Sequence, residues 1–146
     1  MVVPFESWHL EWIDLNQDAF QSVMRLPSSV REHATALATL GNAYTALSNG
    51  RVLGCVGILP LWMGVMDLWM YIGKDAFADK RTILKIINIY LEALIEKYDI
   101  HRLQAMVKSD YVAGLRFAKF FGFESEGEAK QYGPNKENFT RVARII

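Results

Sequence analysis

The chain has one cysteine in 146 residues, only four prolines, and no surplus of either charge. Cys55 has no second cysteine to pair with, so an intramolecular disulfide framework is excluded. Sixteen Lys plus Arg stand against sixteen Asp plus Glu, a formal net charge of +0. No overall positive field therefore exists to draw in nucleic acid or an anionic membrane. His9, His33 and His101 are scattered, no His, Cys, Asp or Glu pair has metal-ligand spacing, and a Gly-x-Ser-x-Gly elbow is missing. Metal hydrolases, serine hydrolases and nucleic-acid readers are thereby set aside, and no metal is expected. Met1 is not followed by a basic n-region and an apolar h-region, which makes the cytoplasm the expected location. One uncharged and strongly apolar run, Val52 to Met66, is interrupted by Gly54, Gly57, Pro60 and Gly64, and Asp67 follows it. A charge there would be costly near a bilayer centre, so buried strands are expected rather than a membrane span.

What the chain does have is material for a core: 51% hydrophobic and 12% aromatic residues, with 22% charged. At this length that predicts one compact domain, residues 1–146. Val2 to Phe5 reads as a strand, and Ser7 as the N-cap of a helix carrying Trp8, Leu10, Trp12 and Leu15. Pro27 and Ser28-Ser29 read as a break before a helix over Val30 to Leu40 that ends near Gly41. Asn49-Gly50, between Ala43–Ser48 and Arg51–Leu59, is the pair a type I′ hairpin turn needs, since both central residues take positive φ. Val65 to Ile72 reads as a strand covered on both faces. From Asp79 to Tyr98, Ile83, Ile87, Tyr90, Leu91, Leu94 and Tyr98 recur at helical spacing, with Lys85, Asn88, Glu92 and Glu96 opposite. A strand over Leu103 to Val107, a helix over Tyr111 to Phe121 closed by Gly122, and strands over Ser125 to Gln131 and Phe139 to Ile145 complete the order. Cys55, between Gly54 and Val56, is expected to be a small core residue rather than a nucleophile. Trp8, Trp12, Trp62 and Trp69 are expected to pack in the core by default.

A hairpin feeding a buried strand, then helix, strand, helix and a terminal pair of strands resembles the Gcn5-related N-acetyltransferase (GNAT) superfamily. Leu115 to Phe123, closing on Gly122-Phe123, is similar to the GNAT helix that runs into the sixth strand. Gly41 to Ala46, Gly54 to Ile58, Leu61-Trp62 with Gly64, and Gly127, Lys130, Tyr132, Gly133-Pro134 and Val142 to Arg144 are similar to small GNAT-like proteins of tailed phages and prophages. The resemblance implies a mixed α/β (α+β) fold, a twisted and mostly antiparallel sheet of six to seven strands with about four helices on its two faces. It implies acetyl-CoA as cosubstrate and an amine of a protein or small molecule as acceptor. The cofactor positions it implies are Tyr71, Ile72 and Gly73 for the pantetheine arm and Phe77 to Thr82 for the pyrophosphate, with Lys74, Lys80 and Arg81 as cations.

Two departures from the family pattern stand beside it. The usual phosphate loop, Arg or Gln, two residues, Gly, one residue, Gly or Ala, is replaced by Gly73 to Thr82, where Phe77 adds bulk and Asp79 adds negative charge. The position of the usual acid Tyr is Ala118, which leaves Tyr111 as an alternative hydroxyl beside Asp110. Asp67, a lone carboxylate in an apolar strand, is the candidate base, with Glu11 and Glu32 as weaker ones. A reading from a different class stays open: a GNAT-fold phage protein without catalysis, in the virion or bound to a host protein. A homodimer is compatible with either reading, as is location in a host cytoplasm or a virion.

Overall fold

A computed structural model describes residues 1–13, 27–40 and 42–146. The described elements are β1 (Val2–Pro4), α1 (Ser7–Trp12), α2 (Pro27–Thr39), β2 (Ala43–Ser48), β3 (Arg51–Trp62), β4 (Val65–Ile72), a 3-10 segment (Lys74–Asp79), α3 (Lys80–Lys97), β5 (Arg102–Lys108), α4 (Val112–Phe120), β6 (Glu124–Ala129) and β7 (Phe139–Ile145). Strand order in the sheet is β1-β2-β3-β4-β5-β7-β6, which places β4 at its centre as an apolar strand requires. Pairing is antiparallel in the β1–β2, β2–β3, β5–β7 and β6–β7 ladders and parallel between β4 and β5. Among the described residues, no helix is long and apolar enough to cross a membrane.

Several elements form where local chemistry directs them. Asn49 and Gly50 take φ of 50° and 73°, the positive pair expected of the β2–β3 turn. Gly122 takes φ of 84°; its N–H reaches Lys119 O at 3.0 Å and that of Phe123 reaches Ala118 O at 3.1 Å. These two bonds are the Schellman closure of α4, and they bury Phe123 behind it. Three of the differences from the expected boundaries have a clear local cause. Glu6, not Ser7, is the N-cap of α1, because its backbone is extended and its N–H donates to His9 Nδ1 at 2.9 Å. Pro27 opens α2 instead of breaking the chain before it, since a first-turn residue needs no N–H partner. β3 runs on through Pro60 to Trp62, and the turn falls at Met63-Gly64. Leu15 and Gly41 lie outside the described residues.

The chain divides into two compact units, and β3, β4 and α3 each contribute residues to both. The first comprises Met1–Leu59 and Trp69–Ile83. Its core gathers Phe5, Leu10, Ile13, Ala34, Leu37, Ala43, Val52, Cys55 and Tyr71. Trp69 packs against that cluster, edge-on to Phe5 at 5.3 Å between ring centres. The other tryptophans depart from the expected core placement: Trp8, Trp12 and Trp62 are exposed, Trp12 at 71% and Trp62 at 73%. The second unit comprises Pro60–Leu68 and Leu84–Ile146. Ile87, Leu91 and Leu94 of α3 and Leu103 of β5 are buried in it, while Lys85, Asn88, Glu92 and Glu96 are exposed, which matches the amphipathic spacing.

A buried polar chain crosses the first unit. His9 Nδ1 accepts the Glu6 N–H and lies 2.9 Å from Thr45 Oγ1, which is 3.6 Å from Cys55 Sγ. A nitrogen that accepts a backbone N–H carries no proton, so the ring is neutral. Burial lowers the His9 pKa, partly offset by Glu6, and burial pushes the Cys55 thiol up to about 11. Cys55 is thus the expected inert core residue. Because His9 is harder to protonate folded than unfolded, its contribution to stability is complete above the unfolded value near 6.5 and is lost as pH falls below it. Unfolding free energies from urea titrations between about pH 8 and pH 5 should decline with a slope of at most about 1.4 kcal/mol per pH unit from this proton. In His9→Asn, whose side-chain oxygen can replace Nδ1 as acceptor, that part of the decline should vanish.

Candidate functional site

In a strand, successive backbone N–H and C=O pairs turn to opposite edges. Gly73 N–H donates to Leu53 O at 2.8 Å, and a Cβ placed on Gly54 would stand 3.0 Å from Tyr71 O, so Tyr71 and Gly73 turn toward β3. Met70 and Ile72 therefore turn their backbone groups to the other edge. Of Tyr71, Ile72 and Gly73, the positions singled out in the sequence, Ile72 is the one with an outward backbone. The Tyr71 side chain is committed to the core, where burial, and secondarily Cys55, raises the pKa of its hydroxyl. Gly73 is a packing glycine: a Cβ would meet Ile13 Cγ1 and Leu53 O at 3.2 Å and Val52 O at 3.3 Å.

Beyond Gly73 the chain winds through the 3-10 segment straight into α3, with Ala76 N–H on Gly73 O at 3.1 Å. Lys74, Phe77, Lys80, Arg81 and Thr82 are all exposed here. Asp79 stands at the cap of α3 and accepts the Thr82 N–H on Oδ1 at 3.3 Å. Hydrogen bonds from the Thr82 side chain and backbone hold the Asp79 carboxyl below its usual range. A side-chain carboxylate thus already occupies the Thr82 amide at the N-terminus of α3. Asp79→Asn keeps a good capping side chain but removes the charge. It should therefore leave the melting temperature unchanged, whereas Asp79→Ala should melt earlier; thermal melts read both.

In the second unit, β4 and β5 pair at Val65↔Arg102, Met66↔Leu103 and Asp67↔Gln104. Asp67 is therefore the third residue of its strand, beside Gln104, and the bond between them is made: Gln104 Nε2 donates to Asp67 Oδ1 at 2.8 Å. Arg102, two residues back on the same face of β5, donates through Nε to Gln104 Oε1 at 3.0 Å. Its two terminal nitrogens grip the Glu126 carboxylate, Nη1 to Oε2 at 2.9 Å and Nη2 to Oε1. The hydrogen bond to Arg102 lowers the Glu126 pKa, and that to Glu126 raises the Arg102 pKa. Glu126 reaches this position from the irregularity in β6 between Ser125 and Gly127, where Gly127 takes φ of 116°. Tyr111 is the N-cap residue of α4, and its ring lies over Gly114. Glu11 and Glu32 are exposed on α1 and α2. Gln104, Arg102 and Glu126 escaped sequence reading; the one available signal was the i, i+2 spacing of Arg102 and Gln104 on a strand.

The architecture has close counterparts among solved structures. Ard1 from Thermoplasma volcanium superposes with a TM-score of 0.79 at 14% identity, over 100% of this chain and 97% of that one. A GNAT-family acetyltransferase from Bacillus anthracis matches with a TM-score of 0.73 at 12% identity, covering 99% and 93% of the two chains. The chain has the GNAT fold. A ribosomal-protein-alanine N-acetyltransferase from Brucella melitensis reaches 22% identity and a TM-score of 0.60 over 71% of this chain and 68% of its own. No protein-family model matches the sequence, and no curated protein does.

Proposed function

We propose that residues 1–146 work as one GNAT-type N-acetyltransferase domain that moves an acetyl group from acetyl-CoA to a primary amine. One observation carries the reading: in a GNAT strand order, the outward backbone of Met70 and Ile72 is followed directly by the exposed cations Lys74, Lys80 and Arg81. The pantetheine arm then lies along Tyr71, Ile72 and Gly73, pairing with Ile72 as an added strand would. The phosphates meet Lys74, Lys80 and Arg81 at the start of α3, with Thr82 exchanging Asp79 for phosphate. Acetyl-CoA supplies an activated acyl carbon, and the chain supplies position. Asp67 takes the proton that the amine must lose, and Tyr111 is the hydroxyl assigned to the leaving thiolate. The alanine acceptor in the name of the Brucella match supports an amine as the acceptor class.

Calorimetric titration with acetyl-CoA tests this. Micromolar binding by the native chain, weakened by about 100-fold or more in Lys80→Glu/Arg81→Glu, is the expected result, since each reversal turns an attractive charge into a repulsive one. Equal binding by both proteins would remove the phosphate assignment, and no binding at millimolar ligand would remove the acetyl-CoA reading.

A further inference from the structure

We propose that Gln104 is a positioning residue that aims Asp67 at the ammonium of a cationic primary amine; this rests on the acetyl-transfer reading above. The Gln104 amide has one workable orientation. Turned as observed, its NH2 donates to Asp67 Oδ1 at 2.8 Å and its oxygen accepts from Arg102 Nε at 3.0 Å. Flipped, it would set NH2 against N–H and oxygen against carboxylate, losing both bonds and adding two repulsions. Arg102 cannot rotate to relieve that, because its other two nitrogens are held by Glu126. The order Glu126, Arg102, Gln104, Asp67 alternates charge and dipole so that each bond polarises the next. Three elements thereby fix one carboxylate oxygen. Among the described residues Asp67 Oδ2 has no hydrogen-bond partner, and Asp67 is half-buried, so the fixed carboxylate presents a free acceptor.

A primary ammonium fits that acceptor: three N–H donors on a compact charge, one of which can bond Oδ2. In the transfer step its proton passes to Asp67, the neutral nitrogen bonds the acyl carbon, and the carbon–sulfur bond breaks. The thiolate then takes up a proton, so that one ammonium and one thioester give one amide, one thiol and one proton in solution.

The test follows the Gln104 side-chain amide by NMR while n-butylammonium chloride is added at constant ionic strength and neutral pH. The expected result is a saturable shift in the native protein, absent with n-butanol and abolished by Asp67→Asn. Arg102→Leu, folded by its thermal melt, should weaken the affinity about tenfold by freeing the Gln104 amide to flip. A shift that survives Asp67→Asn, or one that n-butanol reproduces, would overturn the proposal, as would an Arg102→Leu affinity equal to the native one. Acetyl-CoA calorimetry on the same samples separates the two readings: an ammonium response without acetyl-CoA binding keeps the cation site and removes acetyl transfer. Acetyl-CoA binding without an ammonium response does the reverse.

Discussion

Asp67→Asn is expected to lower kcat for acetyl transfer to a primary amine about 100-fold, the usual contribution of a positioned base. The acetyl-CoA dissociation constant should stay within about twofold, because the assigned cofactor positions begin at Tyr71 and do not use the Asp67 side chain. The substitution is close to isosteric, and the amide oxygen it introduces can still accept from Gln104 Nε2, so the network to Arg102 and Glu126 should survive. What is lost is a charge and a proton acceptor. The deficit should therefore shrink as pH rises, about tenfold per unit while bulk water supplies the neutral amine. Steady-state assays over a series of pH values check this. A kcat within a few-fold of native at neutral pH would contradict the assignment, and so would a pH-independent deficit matched by an equal loss of acetyl-CoA affinity.

Gly57→Val should damage the scaffold beneath the same strand. A Cβ on Gly57 would stand 2.5 Å from Trp69 Cζ2, 2.6 Å from Cε2 and 2.7 Å from Nε1, well inside contact distance. The indole is itself confined, with Phe5 edge-on at 5.3 Å and Tyr71 at 5.9 Å between ring centres. Valine can fit only if Trp69 leaves its place and takes core contacts with it. Overpacking of this kind costs about 3 kcal/mol. For a chain of this size that lowers the melting temperature by about 10 °C. Acetyl-CoA binding should weaken in parallel, since Trp69 and Ile72 share β4. Gly57→Ala/Trp69→Leu, which restores space as it adds the methyl, should recover much of the loss relative to Gly57→Ala alone. A Gly57→Val melting temperature within about 2 °C of native would show that the indole is free to move.

How far the sequence anticipated these features depended on the range of the interactions involved. Asn49-Gly50 and Gly122 were legible because a positive φ is a local demand that few residues meet. β4 was legible as a near-continuous apolar run, and the amphipathic stripe of α3 because burial on one face imposes a period. The capping role of Asp79 was half visible: its charge stood out as foreign to a phosphate loop, but the bond to the Thr82 amide needed coordinates. The Asp67 network was invisible because its members lie at 67, 102, 104 and 126, and only strand pairing and the irregularity in β6 bring them into line. The tryptophans misled because aromatic content predicts burial on average, yet Trp12 sits at the exposed end of a short helix and Trp62 at a hairpin tip.

The central claim is that the outer edge of β4 receives acetyl-CoA, and amide hydrogen exchange tests it most directly. With saturating acetyl-CoA, the Ile72 and Met70 amides should gain protection, while the Gly73 amide, already bonded to Leu53 O at 2.8 Å, should change little. Protection confined to other strands, or none at Ile72 under conditions where calorimetry records binding, would contradict the account.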